Sequence, residues 1–279
     1  MIHEITPYTF KNEYRNVRPA ADSLIFVYKD QKILLKESEG VVSYPTFSEL
    51  PEAVRKKGRF TYLFSINKIT FFLLSEMQEL CETMFGYGYE NNYFLRKGGP
   101  KELIYAGLIA IQLAGWYQEH RFCGACGAKL VHDGRERMMR CPVCGHKEYP
   151  KICPCVIVGI TNGDKILVTK YRGRATNYYA LVAGFAEVGE DIEGCVRREV
   201  MEETGLRVKN LKYYKSQPWP LSESLLFGFF CELDGSDEIT LDENELSMAA
   251  WLSREELNVT FGDFALTNEM LYAFQEGQV

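Results

Sequence analysis

No apolar run in the sequence is long enough to cross a bilayer. The longest, Leu103 to Trp116, reads LIYAGLIAIQLAGW and is interrupted by Gln112, whereas a spanning helix needs about 20 apolar residues. It reads instead as part of a buried helix from about Lys101 to Glu119, with Pro100 suited to the first turn. The opening MIHEITPYTF has neither a basic n-region nor an apolar h-region. No secretory leader and no membrane partner are therefore expected, and the expected compartment is the cytoplasm. Low-complexity tracts are missing, and so is any excess of basic charge: 32 Lys and Arg face 38 Asp and Glu, for a net charge of −6. That balance disfavours non-specific attraction to nucleic acid or an anionic membrane, though not a protein that grips one end of an RNA. Even pairing of cysteines is missing too. Nine cysteines in such a chain do not describe a secreted disulfide scaffold.

What is present is an ordinary globular composition, 46% hydrophobic and 25% charged over 279 residues, ample for more than one domain. Three regions follow one another. Residues 1–118 carry short β-type runs, SLIFVYKD, KILLKE, FTYLFSI and ITFFLL, then KGGP and the helix. They predict a mostly β, mostly antiparallel domain that ends in a helix and shows no catalytic motif. Residues 119–150 hold two cysteine pairs. Residues 151–279 alternate strands (CPCVIVGI, KILVTK, YYALVAG, VKNLKYYKS, LLFGFFCEL, MAAWLS) with an acidic helix and a closing helix, LTNEMLYAFQ. Strands on both sides of a central helix predict an α+β fold with a layered sandwich.

Cys123 and Cys126 form one C-x2-C pair, and Cys141 and Cys144 form another; a glycine follows each pair. Two thiolates at that spacing can share one tetrahedral ion, and the glycine lets the backbone turn beneath the sulfurs. Four thiolates close the coordination sphere and leave no place for water, so the expected role is one structural Zn²⁺ per chain. Disulfides or plain buried cysteines are the competing readings. His120, His132 and His146 lie nearby and are expected at the surface or in support. Cys81, Cys153, Cys155, Cys195 and Cys231 read as core residues.

The segment GFAEVGEDIEGCVRREVMEETGL, Gly184 to Leu206, is crowded with carboxylates, three of them within REVMEE. On a helix Glu199, Glu202 and Glu203 share one face, because positions three and four apart lie within about 60° of each other. Like charges at that spacing destabilise a helix. Ile192, Cys195, Val196 and Val200 face the other way, and Gly205 suits the end of the helix. Either this is a solvated acidic face, or the oxygens collect a hard cation such as Mg²⁺ or Mn²⁺.

The segment resembles the Nudix box, G-x5-E-x7-R-E-U-x-E-E-x-G-U with U a bulky aliphatic. Gly184, Glu190, Arg198, Glu199, Val200, Glu202, Glu203, Gly205 and Leu206 fill its defined positions. The resemblance implies a Nudix α/β/α sandwich, preceded here by the zinc ribbon and the mostly β N-terminal domain. It also implies metal-dependent hydrolysis of a nucleoside diphosphate linked to another group. Beyond the box, SQPWPLSES (Ser216 to Ser224) resembles the signature SQPWPFPxS of the NADH pyrophosphatase subgroup, with Leu221 and Ser222 in place of Phe-Pro. That subgroup carries a four-cysteine ribbon and includes enzymes that split NADH or remove NAD caps from RNA 5′ ends, and its members are homodimers.

By position, the resemblance makes Glu199 and Glu203 ligands of Mg²⁺ or Mn²⁺, with the Ala183 carbonyl and Glu245. Glu202 serves as ligand or base, and Glu243 is a weaker competitor of Glu245. Phe185 stacks on a base, and Gln217, Trp219 and Ser224 line the substrate site, from this subunit or its partner. Glu136, Tyr149 and Ala265 match substrate contacts more loosely. Solvated loop and core-packing roles are the alternatives for Glu245 and Phe185. The implied activity is hydrolysis of NADH or NAD⁺ to AMP and nicotinamide mononucleotide. ADP-ribose or another nucleoside diphosphate derivative is the alternative substrate, and a non-catalytic nucleic-acid-binding regulator is the alternative class.

Overall fold

The structure is a computed structural model that describes residues 1–91, 99–173, 178–242 and 244–279. Lys97 and Gly98 of the expected KGGP turn, and Glu243, lie outside the described residues. The chain forms two compact units, Ile2–Lys151 and Ile152–Val279, the second including Met1. The N-terminal region and the cysteine-rich segment thus belong to one unit.

In the first unit the strands are β1 (Phe10–Lys11), β2 (Leu24–Lys29), β3 (Lys32–Ser38), β4 (Val41–Ser43), β5 (Phe60–Ile66), β6 (Ile69–Leu74) and β7 (Gly88–Asn91). A short helix, α1 (Glu52–Lys57), precedes β5, and α2 spans Lys101–Glu119. The sheet runs β1-β5-β6-β2-β3-β4, with β7 beside β3. Pairings are antiparallel except β2 with β6. The continuous apolar runs of β2, β5 and β6 are explained by burial on both faces. Phe64 and Phe71 stack at 4.9 Å, and Tyr62 meets Phe72 edge-on at 5.5 Å. Helix α2 buries Ile104, Leu108, Leu113 and Trp116, and the Tyr44 hydroxyl donates to its Leu103 carbonyl at 3.0 Å. After α2 come three short strands, β8 (Val131–His132), β9 (Met139–Arg140) and β10 (Lys147–Glu148), in the order β10-β9-β8.

The second unit contains β11 (Cys153–Asn162), β12 (Lys165–Tyr171), β13 (Val182–Phe185), α3 (Ile192–Thr204), β14 (Val208–Trp219), β15 (Ser224–Leu233), β16 (Leu246–Ser253) and α4 (Leu266–Gln275). Its sheet runs β14-β15-β11-β12-β16, with β13 paired to β11. Strand β11 lies parallel to β15 and antiparallel to β13. Alternate residues of β11 serve two cores, as the period of two requires. Val156, Val158 and Ile160 pack with Cys195, Val196 and Val200 of α3. Cys155 and Ile157 pack with Leu266, Met270, Leu271 and Phe274 of α4. The sheet therefore lies between two helices, an α/β/α sandwich.

Strand β14 runs three residues beyond the expected VKNLKYYKS, because Gln217, Pro218 and Trp219 continue the ladder to Trp219↔Ser224. The proline is tolerated there because β14 is an edge strand. A 3₁₀ turn over Pro220–Ser222 then closes the hairpin.

Candidate active site and metal centre

The cysteine knuckles build a closed metal site. The sulfurs of Cys123, Cys126, Cys141 and Cys144 all lie within 4.8 Å of one another; among the described residues they alone reach that spacing. Cys123 and Cys144 sulfurs are 3.6 Å apart, Cys126 and Cys141 sulfurs 3.5 Å. A tetrahedral ion with Zn–S near 2.3 Å wants sulfur pairs roughly 3.8 Å apart, so the donor set fits zinc. Gly127 (φ +73°) and Gly145 (φ +77°) turn the chain under the sulfurs, their amides donating to the Cys123 and Cys141 carbonyls. The histidines are engaged elsewhere: His120 with the Trp116 carbonyl, His146 with Glu148, and His132 stacked on Tyr117 at 4.9 Å. Cys81, Cys155, Cys195 and Cys231 are buried, and burial holds their thiols protonated; Cys153 is half-buried.

The acidic site is built on α3. Asp191 caps the helix, accepting from the Gly194 amide at 2.7 Å, and Gly205 ends it in the left-handed region at φ +70°. The three glutamates share a face but not an environment. Glu202 is 58% exposed, Glu199 12%, and Glu203 is buried at 2%. Both carboxylate oxygens of Glu203 are buried without a hydrogen-bond partner. Burial, then the charges of Glu199 and Glu245, push its carboxyl up to about 8. The Ala183 amide lies close enough to favour the charged form without completing a hydrogen bond. The same burial raises Glu199, with Arg198 opposing it. Glu245 sits in the turn before β16, where it is exposed to solvent and its charge reaches both glutamates. A buried carboxylate with no donor and two like charges beside it is costly unless a cation joins it. The donor set fits a hard divalent ion of the Mg²⁺ or Mn²⁺ type.

Arg198 organises this negative charge, a role that sequence reasoning passed over although the box defines the position. Its guanidinium holds Glu190 through two bonds (2.9 and 2.8 Å), Glu199 at 2.7 Å, Glu202 at 2.9 Å and the Phe185 carbonyl at 2.8 Å. The fork geometry suits several carboxylates at once. It holds Glu190 down at about 2. Gly184 is required by close approach: a Cβ there would lie 1.9 Å from the Glu199 carboxyl carbon.

Glu199, Glu202 and Glu245 line an open cavity of about 660 Å³ together with Ala183, Phe185, Trp219, Ser224 and Ala265. Glu203, being buried, is not among the residues that line it. Phe185 is 50% exposed, and Trp219 rests edge-on against Phe264 at 5.5 Å. The Ser224 hydroxyl is turned to Ser222, donating to its carbonyl at 3.0 Å. Tyr171, on β12, also lines this cavity and was not expected there. Gln217 departs from expectation. It is fully buried, its Nε2 donating to the Phe264 carbonyl at 2.8 Å and its Oε1 accepting from the Leu266 amide at 2.7 Å. It braces the entry to α4 rather than lining the cavity, because both ends of its amide are taken up by the backbone on either side of Ala265. Glu136 and Tyr149 belong to the other compact unit, where the Tyr149 hydroxyl donates to Glu136 at 3.0 Å.

Comparison with known proteins agrees with this geometry. Residues 152–273 match the NUDIX domain model, and residues 118–149 match the model of the NADH pyrophosphatase zinc ribbon domain. The NAD-capped RNA hydrolase NudC of Citrobacter koseri is 44% identical over 147 residues, 53% of this chain and 57% of that protein. The same protein from Escherichia coli O1:K1 / APEC is 44% identical over the same share. This chain thus spans a little over half the length of the curated relatives it matches. A solved NUDIX hydrolase from Nitrosomonas europaea superposes with a TM-score of 0.48 at 21% identity, covering 57% of this chain and 92% of that one. With every defined position of the box filled, residues 152–273 form a Nudix domain, and it follows a zinc ribbon of the NADH pyrophosphatase type over residues 118–149.

Proposed function

We propose that the chain hydrolyses the diphosphate bond of NADH and NAD⁺ to give AMP and nicotinamide mononucleotide, and that it accepts NAD at the 5′ end of RNA. The observation that carries this reading is the buried, unpartnered carboxylate of Glu203 beside Glu199 and Glu245. The relatives named NAD-capped RNA hydrolase support the choice of dinucleotide. Glu199, Glu203, Glu245 and the Ala183 carbonyl would hold Mg²⁺ or Mn²⁺, which supplies positive charge to the diphosphate oxygens and polarises water. The chain's own residues do the rest. Arg198 keeps Glu190, Glu199 and Glu202 in place against their mutual repulsion. Glu202, the most exposed of the three clustered glutamates, would take a proton from the attacking water. Phe185 and Trp219 offer aromatic faces to flat bases, a contact worth about 1–3 kcal/mol each and tolerant of base identity. Ser224 and Ala265 border the same cavity; substrate-contact roles for Glu136 and Tyr149 rest on the family resemblance alone. The reading includes a cytoplasmic homodimer; light scattering of the purified protein tests the dimer.

The deciding experiment gives the purified protein NADH, NAD⁺, ADP-ribose and an NAD-capped RNA with Mg²⁺ or Mn²⁺, and separates the products by chromatography. AMP and nicotinamide mononucleotide are expected from the nicotinamide dinucleotides. Preference for ADP-ribose over both would overturn the choice of substrate and leave Nudix chemistry standing. No hydrolysis of any substrate with either ion would favour a binding protein instead.

A further inference from the structure

The N-terminal unit contains a small polar niche, about 150 Å³, lined by Tyr14, Arg15, Asn16, Arg59, Tyr62 and His132 among others and by no carboxylate. In a protein of net charge −6 such a place is unusual. Tyr62 is 2% exposed, and its hydroxyl is buried with no hydrogen-bond partner. A buried hydroxyl without a partner is costly, and a bound anion would supply the missing acceptor.

We propose that this niche is a phosphate-binding site, in which Arg15, Arg59 and the Tyr62 hydroxyl hold the phosphate group of a nucleotide or of a single-stranded RNA. The volume is enough for one phosphate with its attached water, since a water takes about 30 Å³. Arginine is the side chain that matches phosphate oxygens in a fork. Arg15 pairs with Glu13 at 2.7 Å, but both partners are exposed and such a pair yields readily to a stronger anion. His132 stays neutral, its ring lowered to about 4 by burial and then by the charge of Arg59, which lines the niche with it. Arg59 also borders a neighbouring cavity of about 570 Å³, where Arg18, Arg55 and Lys56 face a single acid, Glu76. Lys56 pairs there with Glu52 along α1, an exposed contact. The two spaces joined at Arg59 make a cationic track that a phosphodiester chain could follow from its bound phosphate.

The test uses the full-length zinc-loaded protein without added Mg²⁺ or Mn²⁺, titrated with AMP and with a 5′-phosphorylated oligoribonucleotide. Arg59→Glu alters an exposed side chain and should keep the wild-type melting temperature. It should weaken binding of at least one probe by about tenfold or more, the loss of a charge-assisted contact. Tyr62→Phe removes an unpartnered hydroxyl, so it should melt at or above the wild-type temperature and still lose about tenfold in affinity for the same probe. Loss with both probes assigns a single phosphate as the ligand, and loss with the oligoribonucleotide alone assigns the chain. Unchanged binding of both probes in both variants overturns the site.

Discussion

Glu203 enters the site from the last turn of α3, where a carboxylate loses its water and gains no hydrogen bond. Glu203→Gln keeps the shape and removes the charge. If several kcal/mol of transition-state stabilisation depend on that charge, turnover should fall by about 10²–10⁴, which steady-state kinetics will read. The variant also separates a pH effect. The carboxyl of Glu203 is raised to about 8, above its ordinary 4.5, so the unfolded chain gives up this proton first. Its contribution to stability is complete below the ordinary carboxylate range and is lost as pH rises through about 8. Without divalent ions, wild type should therefore melt lower at pH 8 than at pH 6, and Glu203→Gln should lose much of that difference. Melting curves across that range, with and without Mg²⁺, check it. Gly184→Ala is the companion test, because the new methyl would overlap the Glu199 carboxylate and displace it. A shift of about 1 Å in such a group can cost about 100-fold in rate, and melting should hold steady because only a side-chain end must move. Glu199, Glu202 and Glu203 were legible as a common face from spacing alone. Their unequal burial was not, since helical period gives direction around the axis and says nothing of how deep a neighbouring turn covers it.

At the scale of elements, the hairpin of β14 and β15 does more than carry Trp219 and Ser224 to the cavity. Through Gln217 it ties the start of α4 to the sheet by two hydrogen bonds. Gln217→Ala would strand the Phe264 carbonyl and the Leu266 amide in a buried setting, at a cost of about 1–3 kcal/mol each. We expect a clear fall in melting temperature and a higher KM, because Ala265 and Leu266 border the cavity. Unchanged melting would show that water replaces the amide. The helices α2 and α4 were legible to their ends, each being a long apolar stripe bounded by a turn or a breaker. The course of β14 was not. Pro218 reads as a strand end in isolation, and only its place on the sheet edge makes it harmless.

At the scale of the whole molecule, the two metal sites have separate work. The thiolate site lies in the first compact unit and the carboxylate site in the second. Cys141→Ser should abolish stoichiometric zinc and lower the melting temperature by about 10 °C or more, since a structural zinc site is folding energy. Elemental analysis together with calorimetry will read both. Glu203→Gln should leave the zinc content at one per chain, and a joint loss would mean that the sites are not independent.

The sequence by itself determined what local patterns can hold: two cysteine knuckles with their glycines, the filled Nudix box, and strands and helices whose period matches one buried face or two. Those follow from bond geometry and burial over a few residues. Tertiary structure alone decided that Glu203 is buried and unpartnered, that Arg198 holds three glutamates at once, and that Gln217 faces the core. It also decided that Tyr62, Arg15 and Arg59 meet although they stand on different segments of the chain. Electrostatic cost and hydrogen-bond satisfaction depend on what surrounds a group in space, and residues far apart in the chain supply those surroundings.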